Sequence, residues 1–203
     1  MDSSKGTETA AYAARLKGAE ALWKRALGVQ RIYAWNLRRL VPGFMLDVGC
    51  GIGRNLRAVH GRGVGVDHNP YSVARARELG FEAYTSDAFA STPYAQPGRF
   101  DSMLVSHVLE HMDEAEAEAL VASYLPYVRP GGKLISITPQ ERGYRSDPTH
   151  RHFMGFEEVE RVARRLRLQP VLRRSFPFPR PVGRVFTHNE FVVVAQKPAA
   201  NAR

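Results

Sequence analysis

Short apolar runs alternate along the chain with stretches whose apolar positions recur at helical spacing. Runs of strand length are Phe44 to Val48, Gly63 to Asp67, Phe81 to Thr85, Phe100 to Ser106, Lys133 to Thr138, Gln169 to Ser175 and Glu190 to Gln196. Between and before them lie helical patterns. Thr9 to Leu27 carries Tyr12, Leu16, Ala19, Leu22, Trp23 and Ala26 on one stripe, and Val29 to Leu40 carries Ile32, Tyr33, Trp35, Asn36 and Leu40 before Val41-Pro42-Gly43 stops it. Asn55 to His60 reads as a short helix. Asn69 is placed to cap, and Pro70 to open, a helix running to Leu79, with Gly80 ending it. Asp113 is the expected cap of Glu114 to Tyr127, Pro130-Gly131-Gly132 reads as the turn into the fifth strand, and Phe156 to Arg167 completes the set of helices. Strands alternating with helices predict a doubly wound α/β sheet. One domain over 1–203 is expected, with helices at 9–41 before a core at 44–197.

The first strand runs straight into chemistry. Phe-Met-Leu-Asp-Val-Gly-Cys-Gly-Ile-Gly-Arg-Asn, residues 44–55, places Gly49, Gly51 and Gly53 between a strand and a helix start. Glycines suit a sharp turn with positive φ, and they leave room for a ligand against the backbone. The N–H groups of the helix start favour a carboxylate or a phosphate. A dinucleotide fingerprint counted from Gly49 requires glycine at position 54, where this chain has Arg54, so a nicotinamide cofactor is disfavoured. Asp67 ends the next strand, where a carboxylate can take both hydroxyls of a ribose, and Asp87 follows the third.

Five segments in order closely resemble the motifs of class I S-adenosylmethionine-dependent methyltransferases, of the small-molecule type. They are Leu46 to Asn55, Val64 to Asp67, Ser86-Asp87, Phe100 to His111, and Leu125 to Leu134 with its Arg-Pro-Gly-Gly-Lys. The resemblance implies a Rossmann-like seven-stranded sheet whose last strand is antiparallel, with an N-terminal helical cap over the acceptor side. It implies S-adenosylmethionine as cofactor, held by Asp47, Gly49, Cys50, Gly51, Gly53, Asn55, Asp67, His68, Asp87, Ala88, Ser106 and His107. In that scheme the glycine loop takes the methionine part, Asp67 the ribose and Asp87 the adenine amino group, with Ala88 and Phe89 beside the ring.

Composition narrows the setting. The single cysteine, Cys50, cannot form an internal disulfide and reads as small filler in the glycine loop. No apolar run approaches the ~20 residues of a membrane span, and the first residues lack a signal-peptide core, so a cytoplasmic protein is expected. The net charge of +9 comes mostly from arginine, concentrated at 15–39 and 161–184. Arg161, Arg164, Arg165 and Arg167 fall mainly on the outer face of a helix whose apolar side is Val159, Val162, Ala163 and Leu166, which reads as a solvated face. No RNA-binding module motif accompanies them.

Methyl transfer from a sulfonium is an in-line displacement, so a protein contributes alignment and removal of the acceptor's proton. Candidate bases sit after the strands. His107 follows the fourth, within Ser-His-Val-Leu-Glu-His; His111 reads as local packing. After the fifth, the polar stretch 138–153 brings Asp147, His150 and His152, and in an extended segment the two histidines would point the same way. A base or acceptor-binding role is favoured there; a metal site of Asp-x-x-His-x-His lacks a third strong ligand, so no metal is expected. Phe176, Phe178, Phe186, His188 and Asn189 either shape an acceptor pocket or cover the sheet edge. The expectation is a monomeric or homodimeric methyltransferase acting on an oxygen or nitrogen of a small or medium-sized metabolite. A tRNA or rRNA methyltransferase of the same fold, disfavoured by Ser106-His-Val-Leu where base-amino enzymes carry Asn-Pro-Pro-Tyr, and a non-catalytic cofactor-binding partner subunit are the alternatives.

Overall fold

The computed structural model describes residues 29–199. The helix expected at Thr9 to Leu27, and with it Tyr12, lies outside them. The chain divides into two compact units, one of residues up to Val41 with Leu46–Ala95, the other of Pro42–Met45 with the chain from Gln96 onward.

The first unit contains α1 (Val29–Arg39), β1 (Met45–Val48), α2 (Arg54–Ala58), β2 (Gly63–Asp67), α3 (Pro70–Glu78), β3 (Ala83–Thr85) and α4 (Ser86–Phe89). All four residues of β1 and all five of β2 are buried, as expected of parallel strands covered on both faces. β2 pairs with β3 in parallel, Gly65 opposite Ala83 and Asp67 opposite Thr85. Asn69 caps α3 as expected, its side chain accepting from the N–H groups of Tyr71 and Ser72, with Pro70 in the first turn. Helix α1 buries Asn36, Leu37 and Leu40. Ile32 and Trp35 are each 47% exposed, and the Arg39 guanidinium lies over the Trp35 ring. α2 is only five residues long, shorter than the pattern implied.

The second unit contains β4 (Phe100–Ser106), a 3₁₀ turn at Leu109–His111, α5 (Glu114–Tyr124), β5 (Val128–Pro139), α6 (Glu141–Tyr144), α7 (Phe156–Arg165), β6 (Gln169–Phe176) and β7 (Glu190–Gln196). β4 and β5 are parallel, while β7 runs antiparallel to both β5 and β6. Asp113 and Glu116 form a reciprocal capping box at the start of α5. Pro130-Gly131-Gly132 was expected to be a turn before the fifth strand, yet β5 already begins at Val128. The register shifts opposite Phe100/Ser102, and a Cβ on Gly132 would lie 2.8 Å from the Asp101 carbonyl oxygen, so the glycine permits an irregular close approach inside the strand.

The strands form one seven-stranded sheet in the order β3-β2-β1-β4-β5-β7-β6, with β7 the antiparallel member. Arginines of α7 are paired rather than bare. Arg161 reaches Glu114 at 2.7 Å and Glu158 at 2.9 Å, Arg164 reaches Glu160 at 2.8 Å, and Arg165 reaches Glu118 at 3.5 Å. No helix among the described residues is long and apolar enough to cross a membrane.

Candidate active site

The loop between β1 and α2 has Gly49, Gly51 and Gly53 all at positive φ, at 78°, 52° and 84°. Gly53 is pressed against the Phe81 ring, which a Cβ would meet at 2.5 Å. Gly51 differs: a Cβ there meets nothing within 4 Å, so the space over it is open. The N–H groups of Gly49 and Cys50 both donate to the Val66 carbonyl, at 2.8 and 3.0 Å, which hangs the loop on β2. Cys50 packs its sulfur on Gly65, and burial drives its thiol pKa up, so it is an inert filler.

Two carboxylates organise this cradle. Asp67 is 8% exposed and accepts from the Gly51 N–H at 2.8 Å and the Asn69 N–H at 2.8 Å, tying the open glycine to the tip of β2. His68 Nδ1 stands 3.5 Å from Asp67, with its side chain 46% exposed. Asp47, in the middle of β1, has no exposed surface. One of its oxygens takes the Asn55 amide N–H at 3.1 Å, and the other has no hydrogen-bond partner among the described residues. Burial, followed by the nearby Asp67 charge and opposed by the Asn55 hydrogen bond, pushes its pKa up to about 7. A buried acid with an orphaned oxygen suits a cationic ligand group. Beyond β3, Asp87 and Ala88 are exposed in the first turn of α4, while Phe89 is turned into the core at 1% exposure and is not available beside a ring as expected.

The second unit carries a histidine-carboxylate cluster. His107 follows half-buried Ser106 with φ +56°, a conformation that costs a non-glycine residue strain and marks a position the surroundings over-determine. Its N–H bonds back to the Ile137 carbonyl at 2.9 Å. The ring is held between two acids, Nε2 at 2.9 Å from Glu190 and Nδ1 at 3.4 Å from Glu110. Burial pulls the imidazole pKa down, but the Glu190 hydrogen bond and the charges of Glu110 and Glu190 outweigh it and raise it to about 10. Because that side chain is 45% exposed, solvent screens part of the effect; the direction still leaves the ring protonated at neutral pH.

His150 and His152 part company, against the expectation for an extended segment. Asp147 accepts from the N–H and hydroxyl of Thr149, at 3.0 and 2.7 Å, and this turn breaks the alternation. His150, its side chain 9% exposed, donates Nδ1–H to the Tyr144 carbonyl at 2.7 Å and turns Nε2 to within 3.9 Å of Glu110. His152 instead faces Glu114 at 3.8 Å. The backbone carbonyl of Glu110 accepts from both Arg151 and His152, so the loop is pinned to the 3₁₀ turn. Glu110 and Glu190 are the residues that inspection of the sequence missed as hubs. An acid opening the apolar run of β7 was the signal for Glu190; nothing marked Glu110 as wholly buried.

The segment between β6 and β7 resolves into two parts. Asn189 is buried and saturated, donating to Gln140 Oε1 at 3.0 Å and Ser175 Oγ at 2.9 Å while accepting from the Phe178 N–H at 2.9 Å, so it locks the loop. Phe176 is buried, whereas Phe178, Phe186 and His188 form a run of edge-to-face rings, Phe178 being 47% exposed. Arg180 braces the loop on Glu141 at 2.8 Å.

Residues 46–136, which run from the glycine cradle through Asp67, Asp87 and His107 into β5, match the model of the methyltransferase domain. This stretch is similar to a methyltransferase domain. This stretch and its surroundings also align with solved structures. A complex between the Haloferax volcanii Trm112 methyltransferase activator and a methyltransferase matches at 20% identity and TM-score 0.70, over 97% of this chain and 98% of that one. A SAM-dependent methyltransferase from Archaeoglobus fulgidus matches at 20% identity and TM-score 0.66, over 88% of this chain and 99% of that one. Magnesium protoporphyrin IX methyltransferase from Synechocystis, solved with bound SAM, matches at 16% identity and TM-score 0.58, over 84% and 80%. At these identities the likeness is one of fold. No curated protein is significantly similar in sequence. The cradle fits S-adenosylmethionine: an orphaned buried carboxylate oxygen for its ammonium, open space over Gly51, and Asp67 for a diol.

Proposed function

We propose that this methyltransferase transfers the methyl group of S-adenosylmethionine to an oxygen or nitrogen of a small or medium-sized metabolite. The observation that carries the cofactor end is the pairing of the orphaned Asp47 oxygen with the open Gly51 loop, itself held by Asp67. The cofactor supplies an electrophilic methyl on a sulfonium and leaves as a neutral thioether. Asp47 would meet the ammonium group, and Asp67 would take the ribose hydroxyls on its remaining lone pairs.

On the acceptor side, the rings of Phe178, half-buried Phe186 and His188 offer an apolar and aromatic wall, and Glu190 and His107 offer polar contacts. His107, held protonated between two carboxylates with both ring nitrogens engaged, orients Glu190, which is the group in the pair able to accept the proton that leaves as the new bond forms. The ion-paired arginines of α7 speak for a metabolite over RNA, since their charge is already answered within the protein.

Calorimetric titration with S-adenosylmethionine and S-adenosylhomocysteine, with Asp67→Ala alongside, tests the cofactor end; labelled cofactor then screens acceptors, metabolites before RNA. Binding lost in the variant and label in a metabolite are expected. Label in tRNA alone would replace the metabolite assignment, and binding without turnover on any acceptor would make the chain a cofactor-binding partner.

A further inference from the structure

Glu110, His111 and His150 lie outside the cofactor cradle, and one ligand atom of each sits within 4.8 Å of the others. Three features make this more than a chance grouping. Glu110 is wholly buried, and neither of its carboxylate oxygens has a hydrogen-bond partner among the described residues. A buried carboxylate in that state is costly unless a cation compensates it. The protonated His107 is a cation already near it, and its Nδ1 stands off at 3.4 Å without a hydrogen bond; His150 Nε2 is at 3.9 Å.

Both histidines of the group are also oriented from behind. His150 places Nδ1 at 2.7 Å from the Tyr144 carbonyl, and His111 places Nδ1 at 3.2 Å from the Thr149 carbonyl. A backbone carbonyl on Nδ1 fixes the tautomer that leaves Nε2 as a lone-pair donor, the arrangement that orients a histidine toward a metal. The T-shaped contact of the two rings, with centroids 4.9 Å apart, keeps them together, and Tyr144 stacks on His150. Finally, the loop carrying His150 is stitched to the turn carrying Glu110 and His111 by the N–H groups of Arg151 and His152 on the Glu110 carbonyl, at 2.8 and 3.2 Å.

We infer that Glu110, His111 and His150 bind one divalent transition cation of the zinc, iron or cobalt class. Two imidazoles and one carboxylate are the donor set such ions prefer, whereas magnesium and calcium favour all-oxygen shells. An ion bonded at about 2.1 Å to each donor brings them to about 3.0–3.4 Å from one another, so the cluster closes by roughly 1 Å on loading. Three protein ligands leave positions open for an oxygen of the acceptor. The site departs from the Asp147-x-x-His150-x-His152 pattern visible in the sequence: Asp147 is occupied by Thr149 and His152 by Glu114.

The test is metal binding rather than turnover, so it succeeds or fails independently of the proposed methyl transfer. Untagged, chelator-treated protein is titrated with Co²⁺ while visible absorption is followed, and Zn²⁺ is then added in competition. One Co²⁺ per chain, with visible bands displaced by Zn²⁺, is the expected result, and Mg²⁺ should not displace it. Glu110→Gln removes the charge with little change of shape and should weaken Co²⁺ binding by at least about tenfold, as should His150→Gln. Retained S-adenosylmethionine binding reports that each variant is folded. Wild-type protein that takes up no stoichiometric Co²⁺, or folded variants that bind it as tightly as wild type, would overturn the assignment. Should a variant fail to fold, the wild-type titration alone decides.

Discussion

Asp47 is the residue whose environment makes the sharpest demand. It is fully buried in β1, with one oxygen on Asn55 and the other unpartnered, and its pKa lies at about 7 against an ordinary 3.8. A carboxyl whose folded pKa is raised contributes stability that is fully present below its unfolded pKa and is lost as pH rises through the folded value. The full span, roughly three units, corresponds to about 4 kcal/mol. Integrated over a practical window, from about pH 5 to about pH 8.5, the loss assigned to this group is roughly 2.5 kcal/mol. Urea denaturation of the ligand-free protein measures it, with Asp47→Asn as reference because the amide keeps the shape and the Asn55 contact while removing the titration. The difference in unfolding free energy between variant and wild type should move in the variant's favour by that order between the two pH values, all other groups cancelling. A difference that stays flat with pH would show that Asp47 ionises freely, and the argument for a site awaiting a cation would go with it. Saturating S-adenosylmethionine should reduce the slope, because its ammonium group would hold Asp47 ionised.

Other consequences follow from the same geometry. Asp67→Ala should weaken S-adenosylmethionine binding by about 1.5 to 3 kcal/mol in calorimetry, the scale of lost hydrogen bonds to a charged group; an unchanged dissociation constant would remove the ribose assignment. Gly53→Ala should lower the melting temperature, since its Cβ meets Phe81 at 2.5 Å at φ 84°, whereas Gly51→Ala, with open space above it, should cost about 1 kcal/mol of stability yet abolish most cofactor affinity. In chelator-treated protein, His107 should titrate well above its ordinary 6.5 when followed by NMR; a midpoint at or below that value would dissolve the clamp by Glu110 and Glu190. Asn189→Ala strands Gln140, Ser175 and the Phe178 backbone and should destabilise the fold by about 1 to 3 kcal/mol in urea denaturation.

The sequence by itself determined the alternation of elements, the strand tips and the glycine cradle, because those features are local. Apolar runs of strand length, an Asn-Pro helix start and glycines at positive φ need only neighbouring residues to be read, and residues 46–136 carry their motifs in a fixed order. Tertiary structure decided whatever depended on partners distant in the chain. It bent the expected turn at Gly131-Gly132 into an irregular strand, because Asp101 lies opposite. Trp35 came out on the outer face, since on α1 burial follows Asn36, Leu37 and Leu40 rather than hydrophobicity alone. It also set His150 and His152 against different acids, and showed Glu110 to be a buried charge with neither oxygen hydrogen-bonded. Periodicity predicts which side of an element a residue occupies; only the fold decides which charges, forty or eighty residues away, come to face it.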